Sequence, residues 1–252
     1  MIRLTHLTKR YGKFTAVDDI NLVVPSGELF GFLGPNGAGK TTTFRMIAGI
    51  LHPTSGTVEI GGVDVLRHPL QAKARLGFIP DRPFVYDKLT GAEFCRFAAA
   101  LYGQQGPVVE RRIDELLELF ELTRWKNELT ESYSHGMRQK LIISAALVHR
   151  PEVIVVDEPM IGLDPKSARL LKDLLRQFVE RGGTVLMSTH TLEVAEAMCD
   201  RIAIVHGGKI VAHGTMAEVQ EQTESEDMGL EDLFLKLTGG MHDQQLDTIL
   251  DG

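Results

Sequence analysis

One eight-residue run, Gly34-Pro35-Asn36-Gly37-Ala38-Gly39-Lys40-Thr41, limits what this chain can fold into more than any other feature. It fits the pattern G-x-x-x-x-G-K-[ST]. Glycines at this spacing let consecutive backbone N–H groups turn inward around an anion. A helix starting at the end of the loop adds about half a unit of positive charge at its N-terminus. Lys40 brings a full charge for the outer phosphates of a nucleoside triphosphate, and the Thr41 hydroxyl is a hard oxygen ligand suited to Mg2+. Residues 34 to 41, extended to Thr42, are therefore the expected phosphate-binding segment. The loop alone does not separate ATPases, GTPases, kinases and helicases.

The surroundings fit the loop. Glu28–Leu33 predicts a strand before it and Thr41–Gly49 a helix after it. Val153–Val156 is a continuous β-branched run, as expected for a strand buried on both faces, and Thr184–Ser188 is another. Ile202–Val205 and Lys209–His213 flank Gly207-Gly208, a hairpin signal. Strands alternating with helices indicate an α/β fold built on a mainly parallel sheet.

Two regions depart from this alternation. The first 27 residues, with Leu4, Leu7, Ile20, Leu22 and Val24 and turns at Tyr11-Gly12-Lys13 and Pro25-Ser26-Gly27, predict short antiparallel strands. From about Thr90 to Arg150 the pattern is helical: Val109, Ile113, Leu116, Leu117 and Phe120 recur at helix spacing, and Pro151 stops a helix running from about Gly136 to His149. The expected organisation is one domain over residues 1–220, with a helical subdomain at about 86–150 inserted into the α/β core. An acidic tail over 221–252 follows, carrying Glu221, Glu224, Glu226 and Asp227 and a short amphipathic helix at Leu230–Leu237. That tail reads as solvated.

The run Val153-Ile154-Val155-Val156 ends in Asp157-Glu158-Pro159. Ligands collect at the carboxyl ends of such strands. Asp157 is positioned to hold Mg2+, and Glu158 to polarise a water for in-line attack on a terminal phosphate.

Composition excludes several classes. The formal charge of −7 argues against a nucleic-acid partner, which needs a basic face. No run approaches the roughly 20 apolar residues of a membrane span, and the first residues lack the apolar segment of a signal peptide. The expected location is the cytoplasm, with any membrane role supplied by a partner. Cys95 and Cys199 form neither a disulfide framework nor a metal motif.

The remaining motifs make the chain resemble the ABC-ATPase family over most of its length. Tyr133-Ser134-His135-Gly136-Met137 stands where that family has its LSGGQ signature, with Tyr133, His135 and Met137 in place of Leu, Gly and Gln. Ile161-Gly162-Leu163-Asp164-Pro165 resembles the D-loop, and His190, following Ser188-Thr189, resembles the switch histidine that touches the γ-phosphate and the catalytic Glu. Tyr11 resembles the aromatic that stacks on adenine. His135 itself reads as a surface polar residue. Where the family has Gln after the strand that Gly77–Pro80 resembles, this chain has Asp81, a shorter and charged candidate for Mg2+ or its water. Phe84, Val85 and Tyr86 follow, either as core or, preferably, as a groove for a partner helix.

The resemblance implies an ATP- and Mg2+-dependent ATPase with Lys40, Glu158 and His190 as catalytic residues. It implies that Ser134 and the amides around Gly136 meet the γ-phosphate bound by a second ABC ATPase subunit. It further implies an integral membrane permease as partner, a peripheral place on the inner face of the cell membrane, and transport, with the signature closer to bacterial exporters than importers. A soluble ABC ATPase acting on ribosome or DNA is the alternative, although paired domains, a charged linker and long coiled-coil insertions are not present. A GTPase would carry an N-K-x-D segment, which is also not present.

Overall fold

The structure, a computed structural model, describes residues 1–225 and 228–239. In chain order its strands are β1 (Ile2–Tyr11), β2 (Phe14–Val24), β3 (Leu29–Leu33), β4 (Ser55–Ile60), β5 (Val63–Asp64), β6 (Leu76–Ile79), β7 (Val153–Asp157), β8 (Thr184–Thr189), β9 (Arg201–His206) and β10 (Lys209–Gly214). Its α-helices are α1 (Lys40–Ile47), α2 (Pro69–Ala74), α3 (Gly91–Leu101), α4 (Pro107–Leu119), α5 (His135–Val148), α6 (Pro165–Glu180), α7 (Leu192–Met198), α8 (Met216–Gln222) and α9 (Leu230–Thr238).

The fold is α/β with two sheets. One is antiparallel, in the order β2-β1-β4-β5; the other runs β10-β9-β3-β8-β7-β6, parallel throughout except for β10. The apolar runs of the parallel strands are continuous because both faces are covered. In β7, Val153 and Val155 join the core shared with α1 and the antiparallel sheet, while Ile154 and Val156 join the core under α3–α6. In β3, Phe30 and Phe32 face the first core and Leu33 a third, smaller one. Phe32 packs on Phe44 of α1 with ring centres 5.7 Å apart, so the helix after the glycine loop is anchored directly to the strand before it. Each such buried ring is worth about 1.5–3 kcal/mol.

The helices α3, α4 and α5 pack on one another around Cys95, Ile113, Leu117, Phe120 and Leu141. Each start has a local cause. Thr90 and Glu93 form a reciprocal capping box on α3, Ser134 caps α5, and Asp164 with Pro165 starts α6.

Two expectations are corrected. The N-terminal strands are long, ten and eleven residues, not short. His6 and Asp19, with φ of 48° and 54°, sit at register shifts in the β1–β2 pair, and these bulges break the alternation that marks strand length in a sequence. The segment read as a solvated amphipathic helix is packed: Leu230 and Leu233 of α9 are buried with Val219 against Ile202 and Ile204 of β9. The Lys236 ammonium fastens it by bonding the Thr223 carbonyl at 2.9 Å and Ser225 Oγ at 2.7 Å. Glu226, Asp227 and residues 240–252 of the expected tail lie outside the described residues.

Candidate active site

The glycine loop joins β3 to α1 and forms the floor of a cleft of about 660 Å³, within the usual range for ligand pockets. Gly39 precedes α1 with φ of 103°, and a Cβ there would stand 2.4 Å from the Ala16 carbonyl oxygen. Only glycine fits that position. Thr43 Oγ1 donates to the Gly39 carbonyl at 3.0 Å, which fixes the first turn and leaves its early amides facing the cleft. Pro35, Asn36, Gly37, Ala38, Gly39, Lys40, Thr41 and Thr42 all line the cleft. Gly34 contributes its carbonyl, which accepts from Lys40 Nζ at 2.6 Å.

Lys40 is 6% exposed, and its Nζ lies 4.0 Å from Glu158 Oε1. Burial pulls its pKa below the ordinary lysine value, while Glu158 and Asp157 oppose the shift.

Adjacent parallel strands deliver the acids. Asp157 is the last residue of β7, paired with Ser188 on β8. Ser188 Oγ donates to Asp157 Oδ1, and it accepts from the Glu158 amide at 3.0 Å. One hydroxyl therefore orients both carboxylate residues. Burial raises the Asp157 pKa, bonds from Ser188 and Thr41 lower it, and the charges of Asp81 and Glu158 raise it again. Its second oxygen, Oδ2, is buried without a hydrogen-bond partner. An orphaned carboxylate oxygen beside the Thr41 hydroxyl fits a hard divalent cation. Among the described residues no cluster of three or more His, Cys, Asp or Glu would enclose a metal; waters and phosphate oxygens complete the sphere of such an ion, as is usual for Mg2+.

Glu158 has φ of 51°, a left-handed conformation rare outside glycine. The strain is held by the two bonds its amide makes to Ser188, and it turns the side chain into the cleft. There Oε2 lies 2.9 Å from His190 Nδ1, on the segment following β8. Lys40, Glu158 and His190 are therefore in one chain of contacts.

Asp81, just past β6, lines the same cleft, as does Arg82, which the sequence reading passed over. The rim differs from expectation in one respect. Phe14, 62% exposed at the start of β2, lines the cleft; Tyr11 does not, and its ring carries the Lys9 ammonium 5.2 Å from its centre. Ser188 and Phe14 were both missed. A Ser preceding Thr189-His190 on a neighbouring strand was the available signal for the first, and an aromatic three residues after Tyr11 for the second.

Ser134 and Gly136, at the start of α5, do not line the cleft of their own chain. Ser134 Oγ accepts from the Met137 amide at 3.3 Å, so its O–H is directed by the helix end. His135 is exposed, as expected, yet it is not a bystander: it lines the cleft, and a Cβ on Gly162 would stand 2.3 Å from its ring. Lys140 Nζ to Asp164 Oδ2, 3.3 Å, forms a second tie between α5 and the loop before α6.

A model of the family described as ABC transporter matches residues 17–161. The chain is 37% identical to a probable multidrug ABC transporter ATP-binding protein, YbhF, of Escherichia coli, over 94% of this chain and 41% of that protein. It thus spans about two fifths of that relative's length. Among solved structures, an ATP-binding subunit of an ABC transporter superposes with a TM-score of 0.89 at 33% identity, over 94% of this chain and 99% of that one. A dimeric ATP-binding cassette in a post-hydrolysis state with ADP and Pi superposes with a TM-score of 0.78 at 26% identity, over 86% of this chain and 99% of that one.

Proposed function

The chain belongs to the ATP-binding subunits of ABC transporters, a family of ATPases, and on that premise we propose that two copies, or one copy and a related subunit, close around ATP to drive a separate membrane permease. The observation that carries this reading is the contact chain Lys40–Glu158–His190, which joins the start of α1 to the carboxyl ends of β7 and β8. In it, the glycine-loop amides and Lys40 bind the phosphates. Glu158 takes up the proton of the attacking water, and His190 holds Glu158 and faces the terminal phosphate. Thr41 and Asp157, with Asp81 nearby, would hold Mg2+, which would supply charge neutralisation for the phosphate oxygens. The adenine stacks at the β1–β2 hairpin on Phe14, a contact worth about 1–3 kcal/mol.

The second subunit offers Ser134 and the amides around Gly136 to the γ-phosphate, an anion at a helix N-terminus. The dimeric state of the post-hydrolysis cassette that this chain resembles supports a dimer. Among the described residues no helix is long and apolar enough to cross a membrane, so the reading requires a permease that supplies the spans.

The surface for that permease is an apolar groove of about 300 Å³ between the segment after α1, β6 and the helices α3 and α5, with Leu101, Tyr102 and Ile142 in its wall. On the segment after β6, Phe84, 72% exposed, packs edge-on against Tyr86, which packs edge-on against Phe97 of α3. Exposed apolar patches of this kind mark partner sites. The likeness to YbhF, a probable multidrug ABC transporter ATP-binding protein, favours export. The test is affinity capture from detergent-solubilised membranes: a polytopic membrane protein should copurify with the native chain and be lost with Phe84→Asp, while ATP binding persists. Capture of ribosomes or DNA in its place would reject the transporter reading.

A further inference from the structure

We propose that Asp81 and Arg82 act as one unit after β6, with Arg82 supplying a cation to the terminal phosphate of ATP and Asp81 facing the metal side. The proposal rests on the reading of the glycine loop as an ATP site and extends it to a residue with no assigned role.

Topology puts the pair in position. β6 is parallel to β7, with Ile79 opposite Val156, so the residues just past β6 emerge beside Asp157 and Glu158. Asp81 and Arg82 both line the cleft that holds Lys40 and Thr41. They are bracketed by Pro80 and Pro83. Proline fixes its own φ and drives the preceding residue, here Arg82, into extended conformations. The loop therefore presents both side chains with little freedom left to lose on binding.

Charge supplies the reason. The cleft is lined by three carboxylates, Asp81, Asp157 and Glu158, against two permanent cations, Lys40 and Arg82. A neutral amide is the residue expected at position 81. Asp81 places a carboxylate there instead, in the same cleft as Asp157 and Glu158. A triphosphate entering this cleft would meet net repulsion from the loop unless the next residue offset it. Arg82 is exposed, and among the described residues no carboxylate lies within 4.0 Å of its guanidinium. A guanidinium presents a planar fork of donors matched to phosphate oxygens. Cancelling the added charge within the same dipeptide keeps the loop neutral and makes it responsive to the phosphate that ATP has and ADP lacks.

The test is equilibrium binding of ATP and ADP with Mg2+ to the purified full chain, carrying Glu158→Gln to suppress turnover. Arg82→Ala should weaken ATP by about tenfold or more, the scale of one charged hydrogen bond. ADP should weaken by less than about threefold, and Arg82→Lys should recover part of the loss. In an Asp81→Gln background the same Arg82→Ala change should cost less, because the charge it offsets is gone. Equal losses for ATP and ADP, or the same loss in both backgrounds, would overturn the proposal. Lys40→Ala separates the underlying premise: it should weaken both nucleotides, and full retention of ATP there would overturn the loop reading itself.

Discussion

His190 Nδ1 lies 2.9 Å from Oε2 of Glu158, bridging the ends of two parallel strands. Half of His190 is open to solvent, whereas the Glu158 side chain is 13% exposed. The contact therefore fixes the carboxylate without burying the imidazole. His190→Ala should lower kcat by about 10²-fold or more, the usual scale for losing a positioned proton-transfer group, while the dissociation constant for ATP changes far less. Steady-state hydrolysis beside equilibrium binding checks this; weakened ATP binding with kcat unchanged would place His190 in binding alone.

Ser188 orients Asp157 through its hydroxyl and Glu158 through the amide of that residue. Ser188→Ala leaves a buried carboxylate oxygen and a strained amide short of a partner, which costs about 1–3 kcal/mol. The thermal midpoint should drop by a few degrees, and kcat should fall more than ATP affinity does. A variant with lowered stability and unchanged kcat would limit Ser188 to a structural part.

His149 sits at the end of α5, 5% exposed, with Nε2 donating to the Leu76 carbonyl at 3.0 Å and its ring stacked 3.8 Å from Tyr102. Burial holds its pKa below the ordinary value of 6.5. A histidine lowered on folding contributes stability above its unfolded pKa, and that contribution is lost as pH falls through the folded value. His149→Gln should cost about 1 kcal/mol at pH 7.5 through lost stacking. It should also flatten the decline in thermal midpoint below pH 6.5. Melting curves of both proteins between neutral pH and pH 5 compare the slopes; parallel slopes would contradict the role given to the burial of His149.

What the sequence disclosed follows from where the physics is local. The strands at Leu29–Leu33, Val153–Asp157 and Thr184–Thr189 were legible because burial on both faces leaves an unbroken apolar run. Lys40 and Glu158 were legible because phosphate chemistry demands their types at those spacings. β1 and β2 read as shorter than they are because bulges at His6 and Asp19 disturb the alternation. The packing of α9 was hidden because the face of β9 that it covers is set by the assembled sheet and nothing in Leu230–Thr238 names it. Ser188 was read as a strand end because its bond to Asp157 exists only once β7 and β8 are neighbours. Phe14 was passed over for Tyr11 because the hairpin geometry, not residue type, decides which ring meets the cleft.

The most direct test concerns Glu158→Gln. The change keeps the glycine loop, Lys40 and Thr41 intact and removes the carboxylate proposed to take the proton from water. The account predicts that this variant binds ATP with Mg2+ and loses hydrolysis by about 10²–10⁴-fold. It also predicts migration as a dimer in ATP but as a monomer in ADP, by size-exclusion chromatography with light scattering. Hydrolysis near the rate of the unmodified chain, or a monomer saturated with ATP, would contradict it.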